Sequence, residues 1–134
     1  MKKLTKLGKT TAYKYSKPDY RAIETFPNPR PSKYGDYSIT FFAEEFTSLC
    51  PVTGQPDFGK LTIQYIPDKL CIESKSLKLY LGSYRLEKGF MEQLVNCIVL
   101  DLTRTCSPKF MKVIGTFNIR GGIGIKVESD TYRR

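Results

Sequence analysis

Two residues of this sequence, a cysteine and an aspartate seven positions apart, are suited to act together in a chemical step. Cys50 ends an apolar run, and Asp57 follows a turn that contains Pro51, Gly54 and Pro56. Because proline fixes φ and glycine lets the backbone bend, this stretch is predicted to be a rigid loop and not the interior of a helix or strand. On such a loop a thiolate could attack a substrate while the carboxyl group supplies or removes a proton.

The same two residues also have a simpler interpretation. A free cysteine is most often a small core residue, and an aspartate in a turn is ordinarily a solvated turn former. Taken by themselves, Cys50 and Asp57 therefore favour a structural interpretation over covalent catalysis, and both interpretations stay open at this point.

Composition excludes several kinds of site. The 134 residues fit one domain with its own core, and they include no histidine. Without histidine the sequence cannot form Cys-His or Ser-His-Asp catalytic groups, nor a histidine-ligated metal site. The four cysteines make no Cys-x-x-Cys pair, so free thiols and no metal site are expected; they are Cys50, Cys71, Cys97 and Cys106.

Charge and hydropathy indicate the surroundings of the protein. No run approaches the roughly 20 apolar residues of a membrane span, and no apolar signal-peptide core follows the basic start Met1–Lys6. A cytoplasmic protein without membrane contact is therefore expected. The net charge of +9 favours partners that carry phosphate, either nucleic acid or a phosphorylated cofactor. A non-catalytic basic RNA-binding module is one function that this charge would suit.

The elements that must position Cys50 and Asp57 form an α+β pattern. Residues 1–33 are rich in proline and are predicted to be a weakly ordered basic arm that Ile23 and Phe26 could attach to a single domain at 34–134. Within the domain, alternation and helical spacing predict the order strand, strand, helix, helix, strand, strand, over residues 37–46, 60–66, 73–85, 90–105, 112–119 and 123–127. Residues 70–72 are predicted to be a short extended piece.

Finer features of these elements can also be predicted. Ser74 or Ser76 is the expected cap of the first helix, and Pro108 ends the second. The apolar face of the second helix is predicted to carry Phe90, Leu94, Cys97 or Ile98, and Leu102. The first two strands should form an antiparallel pair, joined by the loop from Cys50 to Asp57, which we call the cysteine loop. Arg120–Gly122 should form the tight turn of another pair. A four-stranded antiparallel sheet with two open edges is a candidate for closure through oligomerisation.

Several longer motifs carry a resemblance to one family. Residues 45–51, 53–58 and 73–80, together with Phe90-x-Glu92 and Arg120–Gly122, resemble the short, single-module NADPH-dependent nitrile reductases of queuosine biosynthesis, the 7-cyano-7-deazaguanine reductases. The likeness runs from about residue 8 to 130. It implies a tunnelling fold, shared with GTP cyclohydrolase I, in which subunit sheets join into a barrel. It also implies a decamer of two pentamers, active sites at subunit interfaces, and no contact with tRNA.

The resemblance also implies a role for individual residues. Cys50 matches the nucleophile that forms a covalent thioimide with the nitrile, and Asp57 matches the general acid. The substrate is implied to be a small deazaguanine nitrile, bound by Ile72, Glu73, Ser74, Met91 and Glu92. NADPH, two molecules per product and no metal, is implied to bind at Ser74, Lys75, Lys78, Arg120 and Gly121. Taken singly, the two lysines could instead be a solvated helix face and the glycines only a turn.

One position departs from the family pattern. The family normally has a histidine directly before the substrate-binding glutamate, where this sequence has Met91. A thioether accepts hydrogen bonds only weakly and cannot move protons, so the departure bears on reduction more than on covalent capture. A related group lacks the NADPH motif and adds ammonia to the nitrile of a tRNA-bound base. The intact motif Glu73–Tyr80 argues against that alternative.

Overall fold

A four-stranded antiparallel sheet covered by two helices forms the body of the protein. The computed structural model describes residues 2–12, 17–30 and 32–132. The strands are β1 (Thr25–Pro27), β2 (Ile39–Leu49), β3 (Pro56–Ile66), β4 (Leu70–Ile72), β5 (Phe110–Arg120) and β6 (Ile123–Asp130). The helices are α1 (Ser74–Gly82) and α2 (Met91–Cys106), with short 3-10 turns at Tyr20–Ala22, Ser32–Tyr34 and Ser83–Leu86. This arrangement confirms the predicted α+β fold.

The main sheet has the strand order β2-β3-β5-β6, and every neighbouring pair is antiparallel. The β2–β3 pair is the predicted hairpin around the cysteine loop. In the β5–β6 turn, Gly121 and Gly122 both have positive φ, at 58° and 79°, which glycine adopts without steric cost. Strands β2 and β6 are the two edges of this sheet.

The core lies between the sheet and the helices. Alternate residues of β3 face the helices and are almost fully buried, among them Leu61, Ile63 and Tyr65. The matching face of α2 carries Leu94, Val95, Ile98, Val99, Leu102 and Cys106. The predicted Leu94, Ile98 and Leu102 are therefore confirmed, and Phe90 was wrong. Cys97 is exposed, and Phe90 precedes the helix at its N-cap, because the helix begins one residue later than predicted.

A second, two-stranded sheet joins the N-terminal region to the domain. Strand β1 pairs antiparallel with β4, and Ile23 lies in the core. The buried Glu24 carboxylate accepts hydrogen bonds from the backbone N–H groups of Thr5 and Lys6. The predicted arm also covers positions 1, 13–16 and 31, which lie outside the described residues, so its overall order and the boundary at residue 33 stay predictions. Along the described ranges, no helix is long and apolar enough to cross a membrane.

Candidate active site

The cysteine loop is a short connection that its own backbone holds closed. Cys50 directly follows β2, and its N–H donates to the Gln55 carbonyl at 2.8 Å. The Gly54 N–H donates back to the Cys50 carbonyl at 2.9 Å, and Gly54 has the positive φ of 71° that this turn requires. The predicted loop from Cys50 to Asp57 was two residues too long at its far end, because β3 begins at Pro56. A proline can occupy the first position of a strand. Asp57, the second residue of β3, therefore belongs to the sheet and not to a loop.

Asp57 is buried and paired with a cation. Its position on β3 lies directly opposite Ser48 on β2, so both side chains are on the helix-facing side of the sheet, and Asp57 is 3% exposed. Its carboxylate forms an ion pair with the guanidinium of Arg120, the last residue of β5. Arg120 also donates to the Gln55 side-chain carbonyl at 3.2 Å. A residue predicted to bind the cofactor thus contacts the predicted general acid.

The surroundings of Cys50 favour its thiolate. Hydrogen bonds from the Thr53 side chain, from the backbone N–H groups of Thr53 and Val52, and from Arg120 lower the pKa of the Cys50 thiol to about 7. Each donor stabilises the charged sulfur, and this outweighs the small opposing effect of burial. Because the sequence contains no histidine, other groups must activate the thiol. The structure provides amides, a hydroxyl group and an arginine.

The other cysteines lack such donors or are buried. Burial raises the pKa of the Cys106 thiol to about 12, and burial together with nearby acidic residues raises that of Cys97. Cys71 is buried beside the Tyr37 hydroxyl, 3.6 Å from sulfur to oxygen. All four thiols are free, as expected.

The start of α2 lies beside the cysteine loop. The Gly89 N–H donates to the carbonyl of Leu49, the residue before Cys50, at 3.1 Å. This bond brings the start of α2, with Phe90 and Met91, close to the cysteine loop. Met91 is largely buried, and it lines a cavity of about 320 Å³ together with Arg120. Glu92 is exposed in the first turn of the helix. A carboxylate at this position also interacts favourably with the helix dipole, so Glu92 has a structural role open to it beside substrate binding.

The remaining predicted site residues form a second group around the start of α1. The Ile72 N–H donates to the Tyr65 hydroxyl at 2.9 Å. The predicted cap was wrong: Glu73, not a serine, is the N-cap of α1, and its carboxylate accepts from the N–H groups of Lys75 and Ser76 at 2.7 and 2.8 Å. The Ser76 hydroxyl instead donates to the Glu73 carbonyl and accepts from the Glu24 N–H.

The two groups lie at opposite ends of the sheet. Asp57 and Tyr65 are eight residues apart on β3, which at about 3.3 Å per residue separates them by about 26 Å along the strand. Cys50, Asp57, Met91, Glu92, Arg120 and Gly121 are at the first end, which we call the thiol end. Ile72, Glu73, Ser74, Lys75 and Lys78 are at the other, which we call the glutamate end. The structure brings the predicted residues into two clusters and not into one.

The glutamate end adjoins the larger cavity. A cavity of about 530 Å³ lies between β2 and α1, and its lining includes Ser74, Lys78 and Arg85 along with the apolar Phe41 and Leu77. Its size is that of an ordinary ligand site, and its cations suit phosphate groups. Lys75 donates to the backbone carbonyl of Lys9 in the N-terminal region. These residues could hold the phosphorylated part of a dinucleotide cofactor. The described residues contain no group of three or more acidic or cysteine side chains that could hold a metal ion.

Sequence reasoning missed three residues of the thiol end. Thr53 donates to the Cys50 sulfur, Gln55 joins the loop to Arg120, and Ser48 lies opposite Asp57. Thr53 and Gln55 lie in the sequence between Cys50 and Asp57, and this position could have identified them as neighbours of the thiol. Ser48 could have been found from the predicted hairpin, because a strand register assigns each residue an opposite neighbour.

Comparisons with known proteins identify the family of this chain. The family model described as QueF-like protein matches residues 56–134. A Nitrosococcus oceani protein named NADPH-dependent 7-cyano-7-deazaguanine reductase is 50% identical over 114 residues, which cover 85% of this chain and 86% of that protein. A Syntrophus aciditrophicus protein of the same name is 48% identical over 130 residues, which cover 97% and 87%.

One solved structure shows the same fold. The apo form of the archaeosine synthase QueF-Like superposes with a TM-score of 0.63 at 20% identity, covering 75% of this chain and 94% of that one. At this identity the similarity concerns the fold alone. The family model and the two close relatives together cover most of the sequence. The chain therefore belongs to the QueF-like family, which includes the NADPH-dependent 7-cyano-7-deazaguanine reductases.

Proposed function

We propose that this protein is an NADPH-dependent nitrile oxidoreductase that converts 7-cyano-7-deazaguanine to its aminomethyl product in the biosynthesis of queuosine. The names of the close relatives support this assignment. The observation that carries the chemistry is the cluster at the thiol end: a thiol whose pKa is lowered to about 7, and a buried carboxyl group that pairs with Arg120. A nucleophile and a proton donor are the two groups that addition to a nitrile requires.

The first step is covalent capture. The Cys50 thiolate adds to the nitrile carbon, a C–S bond forms, and one π bond of the C≡N group breaks. Its electron pair moves to nitrogen, which takes a proton from Asp57, and the product is a thioimide. When bound, NADPH supplies hydride, twice per nitrile, because reduction to an amine takes four electrons and each hydride carries two. The residues that would hold it are Ser74, Lys75, Lys78, Arg120 and Gly121.

The guanine-like ring is held by carboxylates in this proposal. Its edge presents N–H donors, and a carboxylate can accept two of them at once. Glu92 at the thiol end and Glu73 at the glutamate end serve this role. Each Glu73 oxygen already accepts one backbone N–H, which leaves further lone-pair positions for a ligand.

A second copy of the chain completes the site in this proposal. The thiol end and the glutamate end are about 26 Å apart in one chain, too far for one small base to contact both. Strands β2 and β6 are edges that can continue the sheet into neighbouring subunits. A ring of chains that joins these edges could bring the glutamate end of one subunit to the thiol end of the next. The family resemblance implies that this assembly is a decamer of two pentamers.

Intact-protein mass spectrometry tests the function. Mixing the protein with 7-cyano-7-deazaguanine alone should raise its mass by the mass of one base per chain. Adding NADPH should remove the adduct, oxidise two NADPH per base, and yield the aminomethyl product. The absence of an adduct, with strong salt-dependent RNA binding in its place, would instead support the RNA-binding alternative.

A further inference from the structure

Arg120 has more contacts at the thiol end than binding of a cofactor phosphate would require. Its guanidinium pairs with the Asp57 carboxylate and donates to the Gln55 side chain, and its interaction with the Cys50 thiol helps to lower the pKa of that thiol. The Gln55 backbone carbonyl in turn accepts from the Cys50 N–H, so Arg120 contacts the loop that carries the nucleophile at several points. Its side chain is only 35% exposed, and Arg120 is the last residue of β5, directly before the Gly121–Gly122 turn.

We propose that Arg120 is a catalytic residue of the capture step, in which its guanidinium is the counter-cation for one negative charge that moves from Cys50 to Asp57. This inference rests on the proposed function and adds a role to a residue otherwise assigned to the cofactor. Before capture the charge is on the Cys50 sulfur and Asp57 carries the proton. After capture the sulfur is neutral in the C–S bond, the nitrile nitrogen has the proton, and the charge is on the Asp57 carboxylate.

Arg120 contacts the charge at both of these positions. An arginine has five N–H donors in a fixed planar arrangement and stays protonated throughout, so it can bond a sulfur and a carboxylate without giving up its own proton. A lysine or a histidine in this place would be a weaker or a titrating counter-ion. The ion pair with Asp57 in the structure places the guanidinium where it can stabilise the carboxylate charge that proton transfer leaves.

The geometry also explains how a buried acid can donate to nitrogen. Leaving a bare carboxylate in a site that is 3% exposed would be unfavourable, because buried charges are stable only when they are paired. Arg120 provides that pairing at the moment the proton leaves. The negative charge is therefore never without its cation along the capture step.

The test uses Arg120→Gln, which removes the charge, and Arg120→Lys, which restores a cation without the planar donors. Arg21→Gln is the matched control, since Arg21 forms an exposed ion pair with Asp19 away from the site. Two measurements are made without NADPH: adduct formation with 7-cyano-7-deazaguanine at pH 7, and alkylation of Cys50 by iodoacetamide from pH 5 to 10 in a Cys97→Ser background.

We expect Arg120→Gln to slow adduct formation about tenfold or more and to move the alkylation midpoint upward, because a thiol with a higher pKa has less thiolate at pH 7. Arg120→Lys should recover part of both effects, and Arg21→Gln should match the parent protein. The inference is overturned if Arg120→Gln captures the base at the parent rate, with an unchanged midpoint, and loses only NADPH oxidation. If the parent protein forms no adduct, the proposed function fails, whereas the alkylation midpoints still decide whether Arg120 stabilises the thiolate.

Discussion

The Arg120 guanidinium and the Asp57 carboxylate form an ion pair between residues that are 63 positions apart in the chain. The antiparallel register of β3 against β5 brings them together, since Gly59 lies opposite Phe117 and β3 begins at the end of the sheet where β5 finishes. Arg120 also donates to Gln55, whose carbonyl accepts from the Cys50 N–H, so this pair is connected to the loop that carries the nucleophile.

Asp57→Asn tests the acid role. The amide keeps the shape of the side chain and can still accept from Arg120, but it has no acidic proton to donate. We expect capture of the nitrile to slow by about 100-fold or more, the usual contribution of general acid catalysis. Stopped-flow or quenched mass measurements of adduct formation report this rate, with thermal unfolding as a check on the fold. Unchanged capture kinetics would remove Asp57 from the chemical step.

Cys50 should be the one cysteine that the nitrile base modifies. Its thiol pKa of about 7 makes it half thiolate near neutral pH, whereas burial raises the pKa of Cys97 and Cys106. Capture should therefore rise with pH toward about pH 7, since the thiolate is the attacking form. Cys50→Ala should abolish the adduct, and Cys71→Ala, Cys97→Ala and Cys106→Ala should retain it. An adduct on Cys50→Ala protein would contradict the mechanism.

Glu92 should contribute mainly to binding. It is exposed in the first turn of α2, so Glu92→Ala removes a partner for the base without removing core packing. Leaving ring N–H donors unpaired should weaken substrate affinity by about 1–3 kcal/mol, measurable by calorimetry on a Cys50→Ala background. Glu92→Gln is the control for shape. Equal affinity in all three proteins would show that Glu92 acts on the helix dipole alone.

A substitution at Met91 should affect the reduction steps and leave covalent capture nearly unchanged. Capture requires Cys50, Asp57 and a positioned nitrile, but the later steps also need protons delivered to nitrogen, which an imidazole does well near neutral pH. We expect the protein to form the adduct readily and to consume NADPH slowly. Met91→His should speed NADPH oxidation in single-turnover mixing, with little change in the adduct rate.

Two outcomes would contradict this account of Met91. A parent protein that reduces the base quickly, and is slowed by Met91→His, would show that the methionine is adapted to its place beside Arg120. If both proteins hold the adduct and neither oxidises NADPH, added ammonium should release an amidine, as expected for an ammonia-adding relative.

Gly59 should be required for the packing beneath the site. A Cβ atom at this position would lie 2.8 Å from Phe117 Cδ1 and 2.9 Å from the Thr116 carbonyl oxygen. The second of these contacts is backbone, which cannot move aside as a side chain can. Gly59→Ala should lower the free energy of unfolding by about 1–3 kcal/mol and Tm by several degrees. Gly124→Ala is the matched strand control, since its Cβ would meet only the Ile119 side chain, and an equal loss there would contradict the packing argument.

Local features of this fold could be predicted because local rules determine them. The alternation of Leu61, Ile63 and Tyr65 predicts the buried face of β3, and the Gly121–Gly122 turn predicts the β5–β6 hairpin. The bulge between Ala43 and Phe46 could not be predicted, because it shifts the register without a glycine or proline to mark it. The pairing of β1 with β4 joins Phe26 to Cys71, and no spacing rule indicates such a distant contact.

Only part of the site could be predicted from the sequence, because some of its contacts depend on the tertiary structure. The residue types of the cysteine loop indicate a thiol and a carboxyl group close together, but only the tertiary register reveals that Arg120 lies between them. The cap of α1 was mistaken because serine is the commoner N-cap, whereas here the longer Glu73 side chain reaches back to two backbone N–H groups.

The separation of the thiol end from the glutamate end has a genetic consequence. A chain altered at Cys50 keeps an intact glutamate end, and a chain altered at Glu73 keeps an intact thiol end. When both chains enter one assembly as proposed, some junctions unite two intact ends, although neither parental chain can form one alone. Two null alleles of the same gene would then restore function to each other in a heterozygous cell, as alleles in two different genes ordinarily do.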